Sequence, residues 1–178
     1  MTLTIGQKVY YPGRGPYLVR EVVRKVVCGA TANFYRFLPT DGSDAELLIP
    51  VGSASDLPLR ALLAPDAIPT LLSRLKTRAE PPKEIANWQQ RRSKRAKLFV
   101  SGSAFDLADA IESLMRSSGV RSLAVDELET LRRARRLLIC EIAEVMNESA
   151  SAAEARIDSV IDRTPNAAKK LPNGFNFS

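Results

Sequence analysis

The texture of the chain changes at Pro65, and this change limits the available folds more than any other feature of the sequence. Before it, short runs rich in Val, Tyr and Phe are separated by segments dense in Gly, Pro and Asp. After it, alanine, leucine and charged residues dominate and glycine becomes rare. The first pattern is that of half-buried strands joined by tight turns. The second is that of helices.

Within the first 64 residues, Lys8-Val9-Tyr10-Tyr11 alternates charged and apolar residues, and Pro12-Gly13-Arg14-Gly15-Pro16 is turn chemistry. Tyr17 to Val27 suits a half-buried strand, and Cys28-Gly29-Ala30-Thr31 can turn the chain. Phe34 to Leu38 is an aromatic strand, Asp41-Gly42-Ser43 a hairpin turn, and Glu46 to Val51 a further strand stopped by Pro50. Four or five short strands in about 60 residues predict a small Tudor- or SH3-like β-barrel.

From Asp66 to Lys76 the apolar residues Ile68, Leu71, Leu72 and Leu75 fall at helical spacing, with Pro69 tolerated in the first turn. A second helix is predicted from about Lys83 to Val100, closed by Gly102. Ser103 and Asp106 open a third in the manner of a capping box, its stripe being Phe105, Leu107, Ala108, Ile111, Leu114 and Met115. The fourth starts near Ala124 and is the most regular, with Leu128, Leu131, Leu138, Ile142 and Val145 on one face; Ala152 to Ile161 is a short fifth. The predicted class is therefore α+β: an N-terminal β-barrel over residues 1–64, a C-terminal helical bundle over 65–163, and a disordered tail over 164–178.

Several functions are made improbable by composition. The chain contains no histidine, which removes the usual general base near neutral pH and the common nucleophile pairs. Its two cysteines, Cys28 and Cys140, sit in apolar segments and cannot build a zinc site or a disulfide framework. There is no phosphate-binding glycine loop, no apolar run long enough to span a bilayer and no secretory signal pattern at Met1–Gly6. The expectation is a binding protein of the cytosol, without enzymatic activity, cofactor, metal, small-molecule substrate or membrane.

The net charge of +6 is unevenly spread. Residues 74–97 carry nine basic and two acidic side chains, whereas residues 98–148 carry six basic and nine acidic. Positive charge confined to one short window points to a polyanion partner. Five of the seven residues from Arg91 to Lys97 are basic, and the single tryptophan, Trp88, stands three residues ahead of them in polar company. On a helix Trp88, Arg91, Arg92 and Arg95 share one face by spacing. Basic side chains neutralise phosphates without sequence preference, and a flat aromatic stacks on a base or wedges into an opened step. The competing reading is a solvated basic face with Trp88 filling the core. For the later cluster Arg132, Arg133, Arg135 and Arg136, the acidic residues Glu127, Glu129 and Glu141 offer neutralising partners on the same helix.

At this point the chain resembles a family. Ile5-Gly6-Gln7-Lys8-Val9-Tyr10-Tyr11-Pro12-Gly13-Arg14-Gly15 is similar to the opening of CarD/CdnL-type transcription regulators, with Arg14 where the family carries a turn histidine. Asn87-Trp88 with Arg91-Arg92, then Ser101-Gly102, resembles the family's DNA-proximal helix. Glu127, Leu131, Ala134 to Leu138 and Glu141 resemble its long helix. The resemblance implies a Tudor-like domain that pairs a strand with the β subunit of RNA polymerase, here through Glu46, Leu47, Leu48 and Ile49 with Lys25 on a neighbouring strand. It also implies that the helical domain touches promoter DNA at the upstream edge of the transcription bubble. There Trp88 would wedge into the minor groove, with Arg91, Arg92, Lys94 and Arg95 near the backbone, stabilising the open complex in a nucleoid-associated, cytoplasmic protein. The alternatives are a free-standing nucleic-acid binder that acts without polymerase, and an adaptor whose basic helix meets an acidic protein.

Overall fold

The computed structural model describes residues 3–76, 88–119 and 121–162. In it, β1 (Lys8–Tyr11), β2 (Gly15–Val27), β3 (Ala30–Pro39), β4 (Leu47–Pro50) and β5 (Arg60–Ala61) form one antiparallel sheet in the order β4-β3-β2-β1-β5. A 3₁₀ turn over Val51–Asp56 carries the chain from β4 at one edge to β5 at the other. One face of the sheet buries Val9, Tyr17, Val19, Phe37 and Ile49, together with Leu3 and Ala54 of the 3₁₀ turn, so the small β half has its own core. Only β5 was not legible in sequence, because it is two residues long and pairs with Val9 and Tyr10 far away in the chain.

The turn between β2 and β3 has two residues, since Val27 faces Ala30 directly. The type I′ form of such a turn requires positive φ at both central positions, and Cys28 (φ 52°) and Gly29 (φ 80°) supply it. Cys28 thus sits in the turn the sequence offered, and although its neighbours Val26 and Val27 are apolar it is exposed at the hairpin tip. A bulge between Val19 and Glu21 changes the register of β2 against β3. Beyond it the hairpin outruns the core, and residues 24–31 are all exposed.

The helices are α1 (Ile68–Arg74), α2 (Trp88–Ser101), α3 (Ala104–Ser118), α4 (Val125–Met146) and α5 (Ala150–Asp162), giving the α+β architecture that the texture change predicted. Ser103 caps α3, its hydroxyl accepting from the Asp106 amide at 3.2 Å. Asp106 does not complete the expected box; its carboxylate accepts from the Ser101 hydroxyl at 3.1 Å. At α4 it is the other half of a box that forms, with the Glu127 carboxylate accepting from the Ala124 amide at 3.0 Å. Leu71, Leu107, Ile111, Leu138, Ile142 and Ile157 meet in the bundle core, each contributing about 1.5–3 kcal/mol by burial. Of the stripe predicted for α4, Leu131, Leu138 and Ile142 are buried while Leu128 and Val145 are half-buried; Ala134, Leu137 and Ile139 are buried as well. The predicted start of the second helix at Lys83 and the tail over 164–178 lie outside the described residues.

Candidate functional site

The helices pack against the end of the sheet that carries the β1–β2 and β3–β4 turns, and against β5. The central contact is made by Arg60 of β5. Its Nη1 and Nη2 donate to the two carboxylate oxygens of Glu141 of α4 at 2.6 and 2.7 Å. Its Nε donates to the Gly102 carbonyl, just past the end of α2, at 2.7 Å. The Leu63 amide adds a third donor to Glu141 at 3.1 Å. Glu141 is 0 % exposed, so these three donors replace the water its charge would otherwise hold. The Arg60 guanidinium also lies 3.8 Å from the ring centroid of Tyr10, itself fully buried. Burial, and after it the Glu141 charge, pushes the Tyr10 hydroxyl well above its ordinary range.

Around this centre the β1–β2 turn grips the end of α2. Gly102 takes φ +63°, and a Cβ there would stand 2.7 Å from Pro12 Cγ. Arg133 of α4 donates to the Gly13 carbonyl at 3.1 Å and lies over the Phe99 ring of α2 at 4.2 Å. Lys8 of β1 pairs with Glu144, and Asp41 of the β3–β4 turn pairs with Arg136 at 3.0 Å. Partial burial works against the Asp41 charge, but Ser43 and Arg136 outweigh it and hold the carboxyl below its ordinary range.

The partners anticipated for Arg133, Arg135 and Arg136 are therefore corrected. Glu141 belongs to Arg60, and Glu127 accepts from Nη1 and Nη2 of Arg121, each at 2.8 Å. Arg135 reaches Asp158 of α5 at 2.7 Å, while Arg133 and Arg136 turn to the sheet. The reason is geometric: Glu127 and Glu141 lie on the buried side of α4, and Arg133 and Arg136 on the side facing the turns. One signal for Glu141 was present in the sequence. It falls three residues after Leu138 and directly before Ile142, on the apolar stripe itself. A carboxylate at such a position demands a buried cation.

All five residues assigned to DNA contact, Trp88, Arg91, Arg92, Lys94 and Arg95, fall in the first eight positions of α2. Their side chains lie outside the described residues; in the same helix, Lys97 and Val100 are exposed and Leu98 and Phe99 pack on the bundle core. Of the residues assigned to polymerase contact, β4 carries Leu47, Leu48 and Ile49 on the sheet edge remote from β5. Ile49 is buried and Leu47 packs against the same core, so only their backbone is free at this edge; Leu48 is half-buried. Glu46 is exposed and bound by Arg36 at 2.7 Å, which also holds Glu21 at 2.8 Å. Lys25 is exposed but does not stand beside β4: it faces Ala32 of β3, whereas β4 faces Phe34 to Phe37.

Among the described residues no group of three or more His, Cys, Asp or Glu could hold a metal ion, and no helix is long and apolar enough to cross a membrane. The fold is that of an α+β protein, with β4 at the sheet's edge and a helix of basic sequence carried on one frame. Residues 70–158 match the family described as CarD, C-terminal domain, a span running from within α1 to within α5. The chain belongs to this CarD/CdnL-type family of transcription regulators, a non-enzymatic family that interacts with RNA polymerase.

Proposed function

We propose that this protein docks on the β subunit of RNA polymerase through the edge of β4, with a separate contact from Lys25 on the exposed β2–β3 hairpin, and stabilises the promoter open complex through α2. Trp88 wedges into the minor groove at the upstream edge of the bubble, and Arg91, Arg92, Lys94 and Arg95 neutralise adjacent phosphates. The sheet half (1–64) serves as the polymerase-binding module and the helical half (65–163) as the DNA-binding module. The observation that carries this reading is the position of β4 at the end of the strand order, with β5 at the other end. An edge strand offers unpaired amides and carbonyls to which a partner strand adds. A small module with one basic run binds duplex weakly by itself, and anchoring to polymerase raises its effective concentration at the promoter. No bond is made or broken: the protein shifts the closed–open equilibrium by its differential affinity for the open state.

The test is the lifetime of open complexes formed by the cognate polymerase. Wild type should lengthen it. Trp88→Ala should lose most of the gain, about 5-fold or more for a stacking contact of 1–2 kcal/mol, while still binding polymerase. Leu48→Pro, which disrupts the β4 edge, should abolish co-purification with polymerase. An unchanged lifetime with wild type, or tight DNA binding that needs no polymerase, overturns the reading.

A further inference from the structure

We infer that Arg60 is a positioning residue: it locks the angle between the polymerase-docking sheet and the basic helix α2, so that anchoring at β4 is converted into placement of that helix on DNA. The inference rests on the reading above and deepens it. It is carried by the way one guanidinium is shared among three elements. From β5, Arg60 takes the carbonyl of Gly102 beyond the C-terminus of α2 with Nε, and the buried carboxylate of α4 with Nη1 and Nη2. Its flat face is backed by Tyr10 of β1, so its own orientation is fixed.

Two neighbouring contacts act on the same end of α2. Pro12 fills the space at Gly102, and Arg133 joins Gly13 of the β1–β2 turn to Phe99. All the described contacts that hold α2 to the sheet are thus near its last turn, between Phe99 and Gly102, while the positions assigned to DNA contact lie at its other end. A helix rises about 1.5 Å per residue, so the eleven steps from Trp88 to Phe99 form a lever about 16 Å long. A change of 15° at the clamp displaces its far end by roughly 4 Å, enough to withdraw a wedge from a base step. Lysine in place of Arg60 keeps the charge but presents a single nitrogen, which cannot serve Gly102 and both Glu141 oxygens at once.

The experiment uses full-length protein with Cys140→Ala, one nitroxide label on the exposed Cys28 and a second on Lys97→Cys, which is exposed on α2. Distances between the labels are measured by pulsed electron resonance with Arg60 intact and with Arg60→Lys, and Glu141→Gln, nearly isosteric, is read in the same way should the lysine variant not fold. The inference expects one narrow distance with Arg60 and a distribution at least twice as broad in the variant. It also expects polymerase co-purification at the wild-type level and at least a 3-fold shorter open-complex lifetime than wild type gives. An unchanged distribution overturns the clamp while leaving the proposed function standing. A broadened distribution with an undiminished lifetime overturns the positioning role. A wild-type protein that does not lengthen the lifetime at all overturns both, and the polymerase pull-down then shows whether docking or DNA engagement was misjudged.

Discussion

Arg60 and Glu141, 81 positions apart in sequence, meet at the seam of the sheet and the helices as a two-pronged ion pair of 2.6 and 2.7 Å, with the carboxylate fully buried. A buried charge that loses its partner costs far more than the pair contributes, because nothing solvates the one left behind. Glu141→Ala is expected to lower unfolding free energy by about 3–5 kcal/mol, since the Arg60 guanidinium is then left facing an emptied, desolvated site. Glu129→Ala, on the exposed side of the same helix, should change it by less than about 0.5 kcal/mol. Urea unfolding followed by circular dichroism compares the two, and equal effects would contradict the assignment of Glu141.

Gly102 is placed where only glycine fits. Its φ of +63° disfavours any side chain, and an added Cβ would come within 2.7 Å of the Pro12 ring and 3.2 Å of Pro12 Cα. Pro12 is in a tight turn and cannot retreat easily. Gly102→Ala should cost about 2–4 kcal/mol, larger than the roughly 1 kcal/mol typical of the backbone conformation alone. Gly52, with nothing within 4 Å of an added Cβ, serves as the control; Gly52→Ala should be close to neutral. A calorimetric melting temperature for each variant decides the matter.

The Tyr10 hydroxyl is buried and, among the described residues, has no hydrogen-bond partner. Its pKa lies above the ordinary 10.0 because burial, and then Glu141, disfavour the phenolate. A folded state that holds this proton more tightly than the unfolded chain loses stability as pH rises past about 10, the unfolded value. Tyr10→Phe should therefore match wild type within about 1 kcal/mol at pH 7 and become the more stable of the two above pH 10. Parallel stability curves for the two proteins up to pH 11 would contradict this.

The two thiols should react in sequence. Cys28 is exposed at the hairpin tip, whereas Cys140 is half-buried and its thiol is pushed up by burial and by the nearby Asp41 charge. Only the thiolate attacks a disulfide reagent. At pH 8 an aromatic disulfide should titrate one thiol rapidly and the second at least ten-fold more slowly, and Cys28→Ser should remove the fast phase. A fast phase that survives in Cys28→Ser would place the accessible thiol elsewhere.

Much of the architecture was legible in local pattern. The Val- and Tyr-rich runs, the Cys28-Gly29 turn and the Ser103 cap are short-range signals. They are set by φ/ψ preferences and by hydrogen bonds within a few residues. The apolar spacing along α4 likewise predicted the burial of Leu131, Leu138 and Ile142. Spacing alone could not pair the charges. Arg136 was assigned a neighbour on its own helix and instead reaches Asp41, 95 positions away, because the β3–β4 turn packs against that side of α4.

The chain's order of residues was therefore sufficient for its class, an antiparallel sheet followed by a helical bundle, and for the location of its positive charge. These depend on periodicity and composition, which are properties of contiguous segments. Which edge of the sheet stays open, which arginine holds Glu141, and where α2 is clamped were decided only when distant segments met. Each of these requires a long-range pairing, β5 against β1 and α4 against the sheet, whose partners are chosen by the shape and desolvation of the assembled interface rather than by any local preference.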